Sequence, residues 1–230
     1  MKGVFITFEG NEGSGKSTQL FQLATELQLM GYRVRSLREP GGTPIGEEVR
    51  HTLKHSPANT AMAPETELLL MNACRAQLVR EIIRPALAAG EIVLCDRFYD
   101  STVAYQGYGR KLDLKLVRCL IDYAVGDTRP DLTLLMVVPY EKSQQRLAVR
   151  QSTLPFMRDR IEDEDRSFFE RVAQGYHDIA QAEPKRVREI DATGSMQQIE
   201  AAVWRAVSHL LPPQPSGTER LAARAESANK

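Results

Sequence analysis

The chain has 230 residues, 42% of them hydrophobic and 26% charged, which is enough to bury one core and makes no demand for a second domain. Its 30 basic and 30 acidic residues cancel, so no overall positive field is available to hold a nucleic acid or a membrane surface, and any anion must be gripped locally. Cys74, Cys95 and Cys119 fit no disulfide or zinc spacing, His51, His55, His177 and His209 are scattered, and no apolar run approaches the ~18 residues of a membrane span. The expectation is a cytoplasmic protein in a reducing compartment.

Val4 to Phe8 is a short apolar run of strand character, Gly10 to Gly15 is rich in glycine, and Leu20, Leu23, Ala24 and Leu27 then recur at helical spacing until Gly31. Strand, loop and helix follow in that order. Further strands are predicted at Val34 to Leu37, Ile92 to Cys95, Leu132 to Val138 and Val187 to Ile190, the middle two as nearly continuous apolar runs suited to burial on both faces. Helices are predicted at Pro44 to Leu53, Glu65 to Ala89, Asp113 to Val125, Tyr140 to Arg150, Glu162 to Ala182 and Met196 to Leu211. This alternation specifies an α/β fold, a five-stranded parallel sheet flanked by helices on both faces. Gln151 to Asp159 carries Ser152, Thr153 and Pro155 between arginine-rich helical pieces and reads as a mobile loop. The prolines that follow Leu211 end the last helix, leaving residues 1–211 as one domain and 212–230 as a disordered tail.

Gly10-Asn11-Glu12-Gly13-Ser14-Gly15-Lys16-Ser17 matches the phosphate-binding pattern G-x-x-x-x-G-K-[ST] at every fixed position, between a predicted strand and a predicted helix. The glycines let backbone N–H groups curl around phosphate oxygens, and the positive end of the helix adds to their pull. This is the P-loop NTPase arrangement, with ATP held along Gly10 to Thr18 and Lys16 reaching its β- and γ-phosphates. Ser17 offers a hydroxyl to Mg²⁺. Twenty-two of the 30 basic residues are arginine, whose planar fork matches phosphate oxygens. Arg38 and Arg97 each follow a predicted strand and so stand at the carboxyl edge of a parallel sheet, where ligands bind. Asp96, just before Arg97, is a second candidate for Mg²⁺, with a helix cap or ion pair as its structural alternative.

Arg38-Glu39-Pro40-Gly41-Gly42-Thr43, Asp96-Arg97-Phe98 and Ala104-Tyr105-Gln106-Gly107 closely resemble the corresponding motifs of bacterial-type thymidylate kinases. Phe8-Glu9-Gly10, Arg129-Pro130-Asp131-Leu132 and Asp159-Arg160-Ile161-Glu162 extend the likeness over about residues 3 to 210. The resemblance implies a nucleoside monophosphate kinase fold, transfer of phosphate from MgATP to dTMP, a homodimer, and an arginine-bearing lid at about residues 146–161. It places Glu12 under the sugar 3′-hydroxyl, Arg38, Arg50 and Arg97 around the acceptor phosphate, Arg75 beside the base and Tyr105 under the deoxyribose, with Ser101, Thr102 and Gln106 as neighbouring substrate contacts. Without it, Arg75 reads as an exposed helix residue and Tyr105 as a core aromatic. Lys16, Arg97 and Glu12 carry catalytic roles in this pattern, together with lid arginines drawn from Arg146, Arg150, Arg158 and Arg160, of which Arg150 and Arg160 are favoured. Arg146 and Arg150 stand one helical turn apart and equally fit a solvated face.

Met71 stands where the family usually has a phenylalanine stacked on thymine, which leads to an expectation of weaker or broader base recognition. Val137 and Tyr108 are further departures, set apart from the phosphate machinery, and Leu154-Pro155-Phe156-Met157 lengthens the lid. The alternatives are a kinase for another pyrimidine nucleotide such as dUMP, and a noncatalytic NTP-binding protein.

Overall fold

Alternation along the first strand sets up two cores: Phe5 and Thr7 face one side of a sheet, Ile6 and Phe8 the other, and all four are fully buried. A computed structural model describes residues 3–153 and 160–213, without the side chains at 150 and 153. In it five parallel strands, β1 (Val4–Glu9), β2 (Val34–Arg38), β3 (Ile92–Asp96), β4 (Leu132–Val137) and β5 (Val187–Asp191), lie in the order β2-β3-β1-β4-β5. Phe8 pairs with Asp96 and Arg38 pairs with Asp96 from the other side, so the carboxyl ends of β1, β2 and β3 come together. The expected five-stranded parallel sheet is the observed one.

On one face β1, β3, β4 and β5 pack Phe5, Val93, Leu135 and Val187 against α3 (Pro64–Leu78), α6 (Leu114–Val125) and α8 (Arg166–Ala182). On the other, Ile6, Phe8, Leu94 and Met136 meet α1 (Lys16–Leu29) and α9 (Met196–Val207). Leu20, Leu23, Ala24 and Leu27, recognised by their spacing, are the buried stripe of α1. The remaining helices are α2 (Pro44–Lys54), α4 (Arg84–Ala88), the short α5 (Tyr99–Thr102) and α7 (Tyr140–Thr153). No helix among the described residues is long and apolar enough to cross a membrane.

Several boundaries differ from the sequence reading for physical reasons. The single helix expected over Glu65 to Ala89 contains a π-helical turn at Val79–Ile83, where Arg84 N–H reaches back to Val79. Pro85 lacks the N–H that a regular helix needs in its interior, and the wider turn just before it absorbs the mismatch. The run Tyr99–Gly109, which the sequence reading left without an element, is helical: α5 followed by a π-helical turn at Val103–Gly109. Gly107 and Gly109 disguised it, since glycine disfavours helix; here Leu114 and Phe168 lie so close that a Cβ would stand 2.6 Å from each. Asp165 caps α8 by accepting from Phe168 N–H, so that helix starts at Arg166 and not at Glu162. The last helix ends at Val207, not Leu211, and closes in a 3₁₀ turn. Helix α7 continues through Gln151–Thr153, three residues taken as loop; the rest of that loop, at 154–159, lies outside the described residues. Most of the proposed tail, 214–230, does too, although Tyr32 Oη donates to the Pro212 carbonyl at 2.8 Å.

The sheet carries a buried polar seam. Thr7 and Thr133 share a hydrogen bond across β1 and β4, and Arg186 clasps Asp100 at 2.7 and 2.8 Å while lying over the Tyr99 ring. Arg186→Met is expected to destabilise the fold by about 3 kcal/mol, because it strands the buried Asp100 carboxylate. Denaturant unfolding checks this, and Arg186→Met with Asp100→Leu is expected to be more stable than the single variant.

Candidate functional site

The glycine-rich loop leaves β1 at its carboxyl end and enters α1 at Lys16. Gly10, Gly13 and Gly15 all have positive φ, and at Gly10 a Cβ would stand 2.5 Å from the Met136 carbonyl, so the loop requires glycine to pass β4. Lys16 is buried and donates to the carbonyls of Gly10 and Asn11 at 3.0 and 2.8 Å, which places its ammonium across the mouth of the loop. Helix α7 braces the loop from outside: Ser143 Oγ donates to the Glu12 carbonyl at 2.6 Å, and Arg146 reaches the carbonyls of Gly13 and Ala192. Arg146 is thus tied to the loop and is no mere solvated helix residue. Ser17 Oγ donates to Asp96 Oδ2 at 2.5 Å, bringing the two proposed Mg²⁺ ligands together at the carboxyl edge. Among the described residues no three His, Cys, Asp or Glu gather into a metal site.

Arg97 joins this loop to an adjoining cavity. Its backbone sits at φ 69°, a left-handed conformation that is costly for a residue with a side chain. In return the guanidinium donates to Glu12 at 2.8 Å, Ser101 Oγ at 3.0 Å, and the Tyr105 and Tyr176 hydroxyls at 3.2 Å each. It also lies over the Tyr105 ring. Glu9 supports the arrangement from beneath: its carboxylate accepts from Phe98 N–H, Ser101 N–H, Ser101 Oγ and Tyr176 Oη, capping the start of α5.

These buried charges perturb one another. Burial and the nearby Asp100 raise Glu9 above the usual carboxylate range, with Arg97 opposing. For Glu12 burial acts upward too, but Arg97 and Lys16 outweigh it and hold the carboxyl well below its ordinary value. Lys16 is lowered to about 8, first by burial and then by Arg97, with Glu12 and Asp96 pulling it back.

Of the residues singled out as substrate contacts, Glu12, Met71, Arg75, Arg97, Ser101, Thr102, Tyr105 and Gln106 line the cavity. Arg75 is 2% exposed, which overturns its reading as an exposed helix residue; its guanidinium pairs with Glu39 at 2.7 Å and donates to Asn72 and the Phe98 carbonyl. Tyr105 is both buried in the core and part of the cavity wall. Arg38 and Arg50 do not join the lining. Arg38, half exposed, pairs with Glu47 at 3.1 Å, and Arg50 donates to the Pro40 carbonyl at 2.7 Å, so they stand beside the rim. Arg160 is held in an ion pair with Glu67 and is not among the residues that line the cavity. The Arg150 side chain and Arg158 lie outside the described residues.

Sequence reasoning passed over Lys54, Glu39, Phe98, Ile161, Glu162 and Phe169, all of which line the cavity. Lys54 is the notable omission, a cation close enough to help hold Glu12 ionised. It ends an unremarkable amphipathic helix, and nothing local marked it. Glu39 carried a signal only through the motif that contains it; burial raises its carboxyl to about 7 in spite of Arg75.

A family model described as Thymidylate kinase matches residues 8–203. A thymidylate kinase of Syntrophotalea carbinolica is 45% identical over 208 residues, covering 90% of this chain and 96% of that one. One from Deinococcus radiodurans is 47% identical over 207 residues, covering 90% and 97%. The crystal structure of thymidylate kinase from Ehrlichia chaffeensis superposes with a TM-score of 0.72 at 34% identity, covering 90% of this chain and 99% of that one.

Because burial lowers Lys16 to about 8, affinity for a nucleoside triphosphate is expected to weaken as pH rises from 7 to 9. Calorimetric titration across that range checks it, and an affinity that stays flat in wild type contradicts the lowering of Lys16.

Proposed function

Because the chain belongs to the thymidylate kinase family, an ATP-dependent group of nucleoside monophosphate kinases, we propose that the Gly10–Thr18 loop takes ATP and the adjoining cavity takes dTMP. The reaction is ATP + dTMP → ADP + dTDP. The observation that carries the assignment of sites is Arg97, whose one guanidinium touches both the P-loop residue Glu12 and the cavity residues Ser101 and Tyr105.

Phosphoryl transfer asks the protein chiefly to align two phosphates and to neutralise the charge spread over the moving group. Loop amides and Lys16 hold the β- and γ-phosphates, and Arg97 holds the acceptor phosphate, so an acceptor oxygen attacks the γ-phosphorus as the bond to the bridging oxygen breaks. Ser17 and Asp96 are the oxygens suited to Mg²⁺, which supplies further charge neutralisation when bound. Glu12, kept ionised by its cationic neighbours, accepts from the sugar 3′-hydroxyl. Arg38 and Arg50 are placed to enter the acceptor site by exchanging Glu47 and the Pro40 carbonyl for phosphate, a stronger partner for a guanidinium than a backbone oxygen. Lid closure over residues 146–161 brings Arg150 and Arg160 to the transferring group.

The exposed Leu69 on α3 and Leu116 and Tyr123 on α6, two helices packed on one another, support a homodimer through that face. Free Cys74 and Cys95, both buried, support a reducing, cytoplasmic setting.

A coupled ADP-release assay tests the reading. Turnover with dTMP and little with thymidine is expected; preference for the nucleoside overturns it. Lys16→Ala is expected to lower kcat at least about 100-fold. Arg160→Ala is expected to lower kcat more than it raises KM. Met71→Phe is expected to lower KM for dTMP by about three- to tenfold, the worth of a flat ring contact.

A further inference from the structure

Glu67 is a fully buried carboxylate on α3 with no part in the chemistry described above. Three residues converge on it from two other segments. Gln106 Nε2 donates to its Oε1 at 2.7 Å, Arg110 donates to both oxygens at 3.3 and 3.1 Å, and Arg160 pairs with Oε2. Arg110 is in turn paired with Glu164. The carboxylate therefore knots α3, the π-helical turn that bears Gln106, and the segment returning from the lid.

We propose that Glu67 is the positioning residue for base selection, acting by fixing which end of the Gln106 amide faces the substrate cavity. The inference rests on dTMP occupying that cavity. An amide side chain has a donating and an accepting end of nearly equal shape, so packing alone does not choose between them. A carboxylate does, because it offers only acceptor oxygens: the NH₂ end of Gln106 is drawn to Glu67, and turning the amide over would set its carbonyl against a buried anion. Two guanidinium groups supply the counter-charge that makes burial of that anion tolerable. The carbonyl oxygen is then what Gln106, a residue of the cavity wall, presents to a bound base.

A carbonyl oxygen accepts the N3–H of thymine, whereas N3 of cytosine carries no hydrogen and would set one lone pair against another. Such a mismatch leaves a buried polar group without a partner, which discriminates far more strongly than fit alone. Met71, lacking a flat ring, contributes little to this choice, so the polar edge carries more of it. Arg110 has a second function in the arrangement. If Arg160 leaves Glu67 for the phosphates, Arg110 and Gln106 still satisfy the carboxylate, and the amide keeps its orientation.

The test compares kcat/KM for dTMP and dCMP, with MgATP saturating, in wild type and in Glu67→Gln, alongside thermal unfolding of both. The substituted amide offers a donor and an acceptor and no longer dictates the orientation of Gln106. The expected result is a fall of at least about tenfold in the dTMP:dCMP ratio, expressed in KM more than kcat. Glu67→Asp, still acceptor-only, is expected to recover part of that ratio. In a Gln106→Ala background, Glu67→Gln should change the ratio no further. A purely structural role predicts lower unfolding temperature and lower activity with the ratio intact, and that result overturns the proposal. Should Glu67→Gln fail to fold, Gln106→Ala alone serves, since it leaves Glu67 with both arginines; an unchanged ratio there is equally fatal. Wild type that ignores dTMP defeats the functional reading itself, whereas wild type that discriminates while Glu67→Gln discriminates as well defeats only this assignment.

Discussion

The guanidinium of Arg97 is the contact on which the two halves of the site depend. It stands at the end of β3, turned by a left-handed backbone so that one side chain meets the P-loop at Glu12 and the adjoining cavity at Ser101 and Tyr105. In-line transfer tolerates little error in the spacing of donor and acceptor phosphates, and a loop on β1 and a helix after β3 have no covalent reason to keep that spacing. Arg97 ties them together, and Glu9 holds the start of α5 in place from the strand below.

Concentrating Glu9, Glu12, Lys16 and Arg97 in one buried cluster is expensive, since each ion loses several kcal/mol of hydration before pairing is counted. The structure offsets this by pairing the charges: Glu9 accepts four hydrogen bonds, Arg97 donates to four side chains, Glu12 among them, and Lys16 donates to two carbonyls. The depressed Lys16 and the raised Glu9 are marks of that burial. Charge held this way is preorganised, and groups so held do not have to reorient when charge develops beside them.

Arginines farther from the loop are arranged differently. Arg38 and Arg160 each hold a carboxylate of the protein and Arg50 holds a carbonyl, a weaker match to the guanidinium than a charged oxygen is. Arg160 has its contact at Glu67, and the same carboxylate accepts from the amide of Gln106, a residue of the cavity wall.

The sequence by itself determined the sheet, the phosphate loop and the family. Each rests on local rules: a short apolar run at Val4 to Phe8, helical spacing at Leu20 to Leu27, and glycines at positions that require positive φ. It also brought most of the cavity wall together, through motifs that travel as units. What it missed has a common cause. The helical run at Tyr99–Gly109 defies its own glycines because Phe168 and Leu114 crowd against them, and Lys54 joins the cavity only because α2 ends at its rim. Arg75 reads as a surface residue until Glu39, 36 positions earlier, is found beside it. Arg38, Arg50 and Arg160 read as cations for a phosphate site, and the structure pairs them with Glu47, the Pro40 carbonyl and Glu67 instead of placing them in the cavity lining. Local order is written in neighbouring residues; which buried charge meets which is decided by packing between distant segments, because an ion leaves water only where the folded chain provides its counterpart.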